Sequence, residues 1–319
     1  MSIRVIVTRN SKHMSDVAAE IVKEHVIRTL GEKQEFILGL ATGSSPIGVY
    51  RRLARAANEG EFDSGRIRSF NLDEYVGLPG ENAQQRIMHP ESYCYFMIQE
   101  FFGLLNHKFI ESSVPFGSLI NQKELVRHLK AYPDDWREAG ADAGRSVVMK
   151  QRPKSEYLAW VKKNVLDAYS RKIKQAGGID LQIIGVGGRG HVAFHEAGIP
   201  FKGSRVMLVK LDENTVENAV ADGHFASKKD SPRYAVTMGA ELVYQARTVV
   251  LLASGERKVA AVAKSLLGRP TPDVPISYGQ IYGENGGELV YVVDRVVGKR
   301  LLDNVEVLKQ KGIGIQKLS

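Results

Sequence analysis

Short apolar runs punctuate the chain at intervals, and the segments between them repeat apolar residues at helical spacing. Phe36–Leu40, Leu181–Ile184, Thr248–Ala253 and residues 289–293 are too short for helices and apolar on every side, which predicts strands buried on both faces. Residues 67–70, 205–211 and 232–239 add further strand candidates. Residues 3–7 alternate apolar and polar positions and predict a short edge strand. Val17, Ile21, Val22, Val26 and Ile27 fall on one face of a helix over residues 15–30, with Ser15 and Asp16 as its cap. Helices are also predicted from Val49, from the His89-Pro90-Glu91-Ser92 start to about Phe102, over 157–175, over 214–222, from Ala240 and from Glu256 to about Leu267. Strand and helix alternate, so the predicted fold is α/β, an open and mainly parallel sheet with helices on both faces. Residues 115–154 break the rhythm. Only 124–132 has helical spacing there, and Pro133-Asp134-Asp135 and 139–144 read as turns. The expectation is a single domain over 1–319 with an irregular insertion at about 115–154, which is a lid, an interface or a disordered loop.

Composition narrows the function classes. The 319 residues are 43% hydrophobic and 25% charged, ordinary for a globular protein with a sizeable core. No apolar stretch approaches the roughly 18 residues of a membrane span. The start, Met1-Ser2-Ile3-Arg4-Val5-Ile6-Val7, reads as a strand and not as a signal peptide. One cysteine, Cys94, excludes an internal disulfide framework and fits a reducing cytoplasm. The net charge of +8 suits an anionic partner. Lys and Arg are spread along the chain, with no basic tail and no nucleic-acid motif. An anionic small metabolite is therefore expected, and neither nucleic acid nor membrane.

Candidate chemistry gathers just past the strands. Phe36–Leu40 runs into Ala41-Thr42-Gly43-Ser44-Ser45-Pro46 and then a helix. Free N–H groups, hydroxyls and the helix dipole at such a turn suit a phosphate or oxyanion. An ordinary Ser/Thr helix cap uses the same residues. The stretch has neither the lysine of a Walker loop nor a dinucleotide fingerprint. Residues 67–70 run into Asn71-Leu72-Asp73-Glu74-Tyr75. Two adjacent carboxylates on a strand point opposite ways, so one can face a ligand as a base while the other is structural. Leu181–Ile184 runs into Gly185-Val186-Gly187-Gly188-Arg189-Gly190-His191, with Glu196 beyond, an imidazole and a carboxylate placed for acid/base work. Lys258 lies in the first turn of a helix, where a cation opposes the dipole unless an anion binds. The aromatic residues after Ser92 read as core.

Three of these stretches together resemble the glucosamine-6-phosphate deaminase (isomerase) family. They are Leu38-Gly39-Leu40-Ala41-Thr42-Gly43-Ser44-Ser45-Pro46, the Asn71–Leu78 stretch with His89-Pro90-Glu91-Ser92-Tyr93, and Gly185 through Glu196; Gly255-Glu256-Arg257-Lys258 is similar to the family's late phosphate motif. The resemblance implies a Rossmann-like fold shared with ribose-5-phosphate isomerase. It implies that Thr42, Gly43, Ser44, Ser45 and Lys258 hold a sugar phosphate, and that Asp73 shuttles a proton between C1 and C2. It further implies that His191 opens the sugar ring with Glu196 tuning it. No metal or other cofactor is expected, since one carboxylate reaching both carbons suffices for aldose–ketose transfer. The family's assembly habit implies a possible homo-oligomer.

The chain also departs from the family pattern. Arg189 stands where the family has an aspartate that orients the histidine, and a cation beside His191 disfavours its imidazolium form. Gly188 and His195 replace two asparagines. Val220 aligns with the family's phosphate arginine, and Met207 and Val209 with two basic allosteric residues, so activation by an N-acetylated sugar phosphate is not expected. Arg189 has two readings. It holds the phosphate or a carboxylate from the far side of the cleft, or it marks a site that no longer deaminates; a changed substrate or reaction at a sugar-phosphate isomerase-type site is expected over unchanged glucosamine-6-phosphate deamination. Three functions follow: an amino-sugar-phosphate isomerase or deaminase, a 6-phosphogluconolactonase-like hydrolase, and a non-catalytic sugar-phosphate sensor.

Overall fold

A computed structural model describes residues 2–141, 144–221 and 223–318. Met1, Asp142, Ala143 and Asp222, which the sequence puts in a strand, a turn and a helix end, lie outside the described residues. The strands are β1 (Ile3–Thr8), β2 (Phe36–Leu40), β3 (Ile67–Asn71), β4 (Asp73–Val76), β5 (Glu111–Ser113), β6 (Trp136–Ala139), β7 (Arg145–Met149), β8 (Leu181–Ile184), β9 (Val206–Lys210), β10 (Tyr234–Met238), β11 (Thr248–Ala253), β12 (Glu288–Asp294) and β13 (Gly314–Lys317). Eight of them form one sheet in the order β13-β1-β12-β11-β8-β2-β3-β5, parallel at every pairing. The fully buried, mostly apolar strands β2, β8 and β11 lie in its interior, as a sheet covered on both faces requires. One face packs Ile37, Phe70, Ile184, Leu251 and Tyr291 into one core. The other packs Leu38, Leu40, Ile183 and Leu252 against helices α1 (Ser11–Glu32) and α2 (Ser44–Asn58).

Two expectations are corrected here. β1 is not an edge strand, because residues 314–317 pair along its outer side as β13. β13 is polar and half exposed, so its sequence carries no apolar signal. Nor is the 115–154 stretch irregular. It holds a helix, Gln122–Ala131, and the hairpin β6–β7, which joins a second sheet ordered β4-β10-β9-β7-β6, antiparallel throughout. The hairpin strands mix polar and apolar residues and are only partly buried, as suits the rim of a sheet.

The helix expected over 157–175 runs from Glu156 to Gln175, with a wider π-helical segment at Val161–Leu166. In the parallel sheet, Gly39 of β2 pairs with Gln182 of β8. A Cβ at Gly39 would lie 2.0 Å from Gln182 Oε1, and the Gln182 amide is held to the Ile183 carbonyl at 2.9 Å. Gly39→Ala is therefore expected to overpack the sheet and cost about 1–3 kcal/mol, read as a lowered urea midpoint at unchanged m.

Candidate active site

The chain leaves the parallel sheet at Leu72. Its N–H donates to the Leu40 carbonyl at 3.0 Å, while its own carbonyl accepts from Met238 of the second sheet at 2.7 Å. Asp73 is the first residue past this switch, so its side chain emerges between the two sheets, at the carboxyl edge of β2 and β8. Asp73 and Glu74 then part, as strand alternation requires. Glu74 faces the helix Tyr93–Glu100 and caps it, accepting from Ser92 Oγ at 2.8 Å and from the N–H groups of Tyr93 and Cys94 at 3.1 Å each. Its negative charge suits a helix N-terminus. Asp73 faces a cavity of about 800 Å³. Burial, followed by the charge of Glu74, pushes the Asp73 carboxyl well above the usual carboxylate range.

Two helix starts open into the same cavity. α2 begins at Gly43 (φ 94°) and the helix Glu256–Leu267 begins at Gly255 (φ 89°). Neither start has a side-chain cap. Only glycine takes these backbone angles readily, and each leaves its helix's first N–H groups without a capping side chain. This answers the alternative of an ordinary Ser/Thr cap: Thr42, Ser44 and Ser45 line the cavity, together with Ser254, Arg257 and Lys258. The second start is fixed from below by Asp294 at the end of β12. Its carboxylate accepts from Ser254 Oγ at 2.6 Å and Gly255 N–H at 3.0 Å, and from Val297 N–H at 2.9 Å as the cap of the next helix.

The third group comes from the turn after β8. Gly190 N–H donates to the Gly187 carbonyl at 2.9 Å, and Gly190 takes φ 84°. His191 then enters the cavity over Gly187, where a Cβ would lie 2.0 Å from Nε2. Ala193, also on the wall, has φ 52°, the single non-glycine residue of positive φ among those described. His191 Nδ1 lies 3.4 Å from Glu196, whose other oxygen accepts from Thr215 Oγ1 at 2.6 Å. Burial alone would raise Glu196. The hydrogen bonds from His191 and Thr215, with the Arg189 charge nearby, outweigh it and leave the carboxyl below its ordinary value. Nδ1 thus faces an ionised carboxylate, and Nε2 is left for a ligand.

Asp73, His191, Lys258 and the Thr42–Ser45 loop therefore share one cavity. Glu196 stands behind His191 and is buried. Arg189 is not among the lining residues. Its Nη1 meets the buried Asp212 carboxylate at 2.7 Å, which places its charge on the base of the helix Glu213–Ala221 and away from the wall. Of the two sequence readings, the structure does not bring Arg189 to the anion end. His195 is inert by geometry. It accepts at Nδ1 from Ala240 N–H at 3.0 Å, donates at Nε2 to the Ile199 carbonyl at 3.1 Å, and burial lowers it to about 4.

Several lining residues carry no sequence signal of their own. Tyr75, Tyr93 and Phe194 form an aromatic wall, with Tyr93 and Phe194 stacked at 5.9 Å, so Tyr93 is not simply core. Asn218 and His224 complete that side, and His224 Nδ1 meets Glu91 at 2.8 Å.

Comparison with known proteins gives the family. The family model described as glucosamine-6-phosphate isomerases/6-phosphogluconolactonase matches residues 122–285. A glucosamine-6-phosphate deaminase of Clostridium botulinum (strain Kyoto / Type A2) is 32% identical over 298 residues, covering 93% of this chain and 98% of the relative. The chain belongs to the glucosamine-6-phosphate isomerase/6-phosphogluconolactonase family. A deaminase of Thermoanaerobacter sp. (strain X514) is 34% identical over 272 residues, covering 85% of this chain and 86% of that one. Among solved structures, a monomeric glucosamine-6-phosphate deaminase superposes with a TM-score of 0.68 at 26% identity, covering 92% of this chain and 99% of that one. The 6-phosphogluconolactonase of Trypanosoma cruzi shares the fold, with a TM-score of 0.59 at 19% identity over 94% of this chain and 98% of its own. The α/β architecture expected from the sequence is thus this family's. Among the described residues, no helix is long and apolar enough to cross a membrane.

Proposed function

We propose that this family member is a glucosamine-6-phosphate deaminase, converting the amino-sugar phosphate to a ketose phosphate and ammonia. The observation that carries the reading is the sharing of one cavity by Asp73, His191 and two uncapped helix starts. The phosphate sits between the Thr42–Ser45 loop and Lys258, held by N–H groups, hydroxyls and the ammonium. His191, paired with Glu196, moves the proton that opens the ring between the C1 hydroxyl and the ring oxygen. Asp73 removes the C2 proton from the open-chain aldose, leaving an enolamine, and returns it to C1. The C2 imine so formed adds water and expels ammonia, giving the ketose. Asp73 suits the task because burial has made it a stronger base than an exposed carboxylate. Arg189 has an outer role, tying the His191 turn to the Glu213–Ala221 helix through Asp212. The pairing of Arg189 with Asp212, off the cavity wall, supports an unchanged amino-sugar substrate.

The solved deaminase relative is described as monomeric, which supports a site that works without a second copy. It places the protein in the cytoplasm with its sugar-phosphate substrate. The test is a panel of glucosamine 6-phosphate, galactosamine 6-phosphate, glucose 6-phosphate and 6-phosphogluconolactone, followed by ammonia release, ketose formation and lactone loss. Stoichiometric ammonia and fructose 6-phosphate from the first substrate are expected. Lactone hydrolysis with no ammonia from either amino sugar would replace this reading by the lactonase one. Phosphate-dependent thermal stabilisation with no turnover of any substrate would replace it by a sensor.

A further inference from the structure

We propose that the β6–β7 hairpin is a positioning element of the active site, with Gly144 the seat against which Glu196, and through it His191, is held. A Cβ built on Gly144 would lie 2.4 Å from Glu196 Cβ and 2.5 Å from its Cγ. Backbone angles do not explain a glycine here, since Gly144 is not among the residues of positive φ. Its neighbour Gly140, by contrast, has φ 140°. What alanine lacks at 144 is room, and the occupant of that room is the carboxylate side chain behind His191.

The contact is part of a built junction. Ala141 N–H donates to the Gly198 carbonyl at 3.1 Å, and Gly140 abuts Ile199. Ile199 N–H in turn donates to the Glu196 carbonyl at 3.3 Å. β7 is zipped to β9 through Arg145–Lys210, Ser146–Val209 and Val147–Leu208, and Arg145 pairs with Glu138 across the hairpin. β9 leads to Asp212 and Thr215, the residues that bind Arg189 and the far oxygen of Glu196. Glu196 is thereby enclosed by the hairpin on its Cβ side and by the Glu213–Ala221 helix on its carboxylate side. The same hairpin strands otherwise only extend the rim of the second sheet, so the seat gives residues 115–154 a task at the site itself.

The kinetic half of this inference rests on the deaminase reading; the structural half does not. The test compares wild type, Gly144→Ala, Glu196→Gln and the control Arg137→Ala, whose side chain is exposed on β6. Ammonia release from glucosamine 6-phosphate gives kcat and KM, and nitrogen-15 spectra report the His191 ring. Gly144→Ala is expected to lose about 10²-fold in kcat with KM changed less than about threefold, as misplacement of an acid/base group does. Its His191 ring signals are expected to move as those of Glu196→Gln do, while Arg137→Ala matches wild type in both. A folded Gly144→Ala with wild-type kcat and wild-type ring signals would overturn the proposal. If wild type releases no ammonia, the deaminase reading fails and the ring signals alone decide. Where Gly144→Ala lowers Tm, the loss is expected to vanish in a Glu196→Gly background, which has no Cβ to meet. A loss that persists there would also overturn it.

Discussion

Asp73→Asn is expected to lower kcat for ammonia release by about 10²–10⁴-fold while leaving KM within a few-fold. The amide keeps the shape and the burial of the side chain and removes only its basicity. The carboxylate must be ionised to take the C2 proton, yet burial and Glu74 both favour its neutral form. The acid limb of the wild-type rate profile is therefore expected well above the ordinary carboxylate range, and Asp73→Asn should flatten that limb as well as lower the rate. A thermodynamic consequence follows with a definite sign. The folded protein holds the Asp73 proton more tightly than the unfolded chain, where the carboxyl titrates near 3.8. Its favourable linkage contribution is complete below that pH and is lost as pH rises through the folded value. At neutral pH the unfolded carboxyl is ionised while burial opposes that charge in the folded protein, a cost that Asp73→Asn does not carry. The variant should melt at a higher temperature than wild type at neutral pH and at the same temperature near pH 4. A variant that keeps more than a tenth of wild-type kcat would remove Asp73 from the chemistry, whatever its melting behaviour.

What the sequence makes legible depends on which force places a residue. β2, β8 and β11 are mostly apolar and buried along their whole length because both their faces are covered, and the sheet interior follows from that pattern. The division of labour between Asp73 and Glu74 is equally readable, since adjacent strand residues face opposite ways. β13 and the β6–β7 hairpin are held at sheet rims by backbone pairing, to which side-chain pattern contributes little. Tyr93 and Phe194 escape notice because a cavity wall and a closed core ask the same residues of a chain. Arg189 is the instructive case. One residue before His191's own glycine hinge, it is directed by Gly190 and captured by Asp212, which is 23 positions away in sequence. Neither its neighbours nor its spacing encodes that partner. Asp294 is hidden for the same reason: a strand-end aspartate reads as a helix cap, and its second oxygen's hold on Ser254 and Gly255 needs the parallel register of β11 and β12.

Lys258→Met is expected to act on binding where Asp73→Asn acts on chemistry. Lys258 stands in the first turn of its helix and lines the same cavity as the Thr42–Ser45 loop. A cation at a helix N-terminus opposes the dipole by about 0.3–1 kcal/mol, a cost that a bound phosphate offsets. A charge-assisted hydrogen bond to phosphate contributes about 1.5–3 kcal/mol, which converts to a KM raised by about 10–150-fold. The phosphate stays attached and distant from C1 and C2 throughout the reaction, so this contact stabilises ground and transition states alike and kcat should change little. The inhibition constant of inorganic phosphate should rise by a similar factor. Glucosamine without its phosphate supplies the decisive comparison: wild type and Lys258→Met should handle it equally poorly, because the group that tells them apart is missing from the ligand. A variant whose KM for the phosphorylated sugar stays within twofold of wild type would move the phosphate away from this helix start. The anion end of the cavity would then rest on α2 alone, where Gly43 leaves the first N–H groups without a side-chain cap and Thr42, Ser44 and Ser45 supply the hydroxyls.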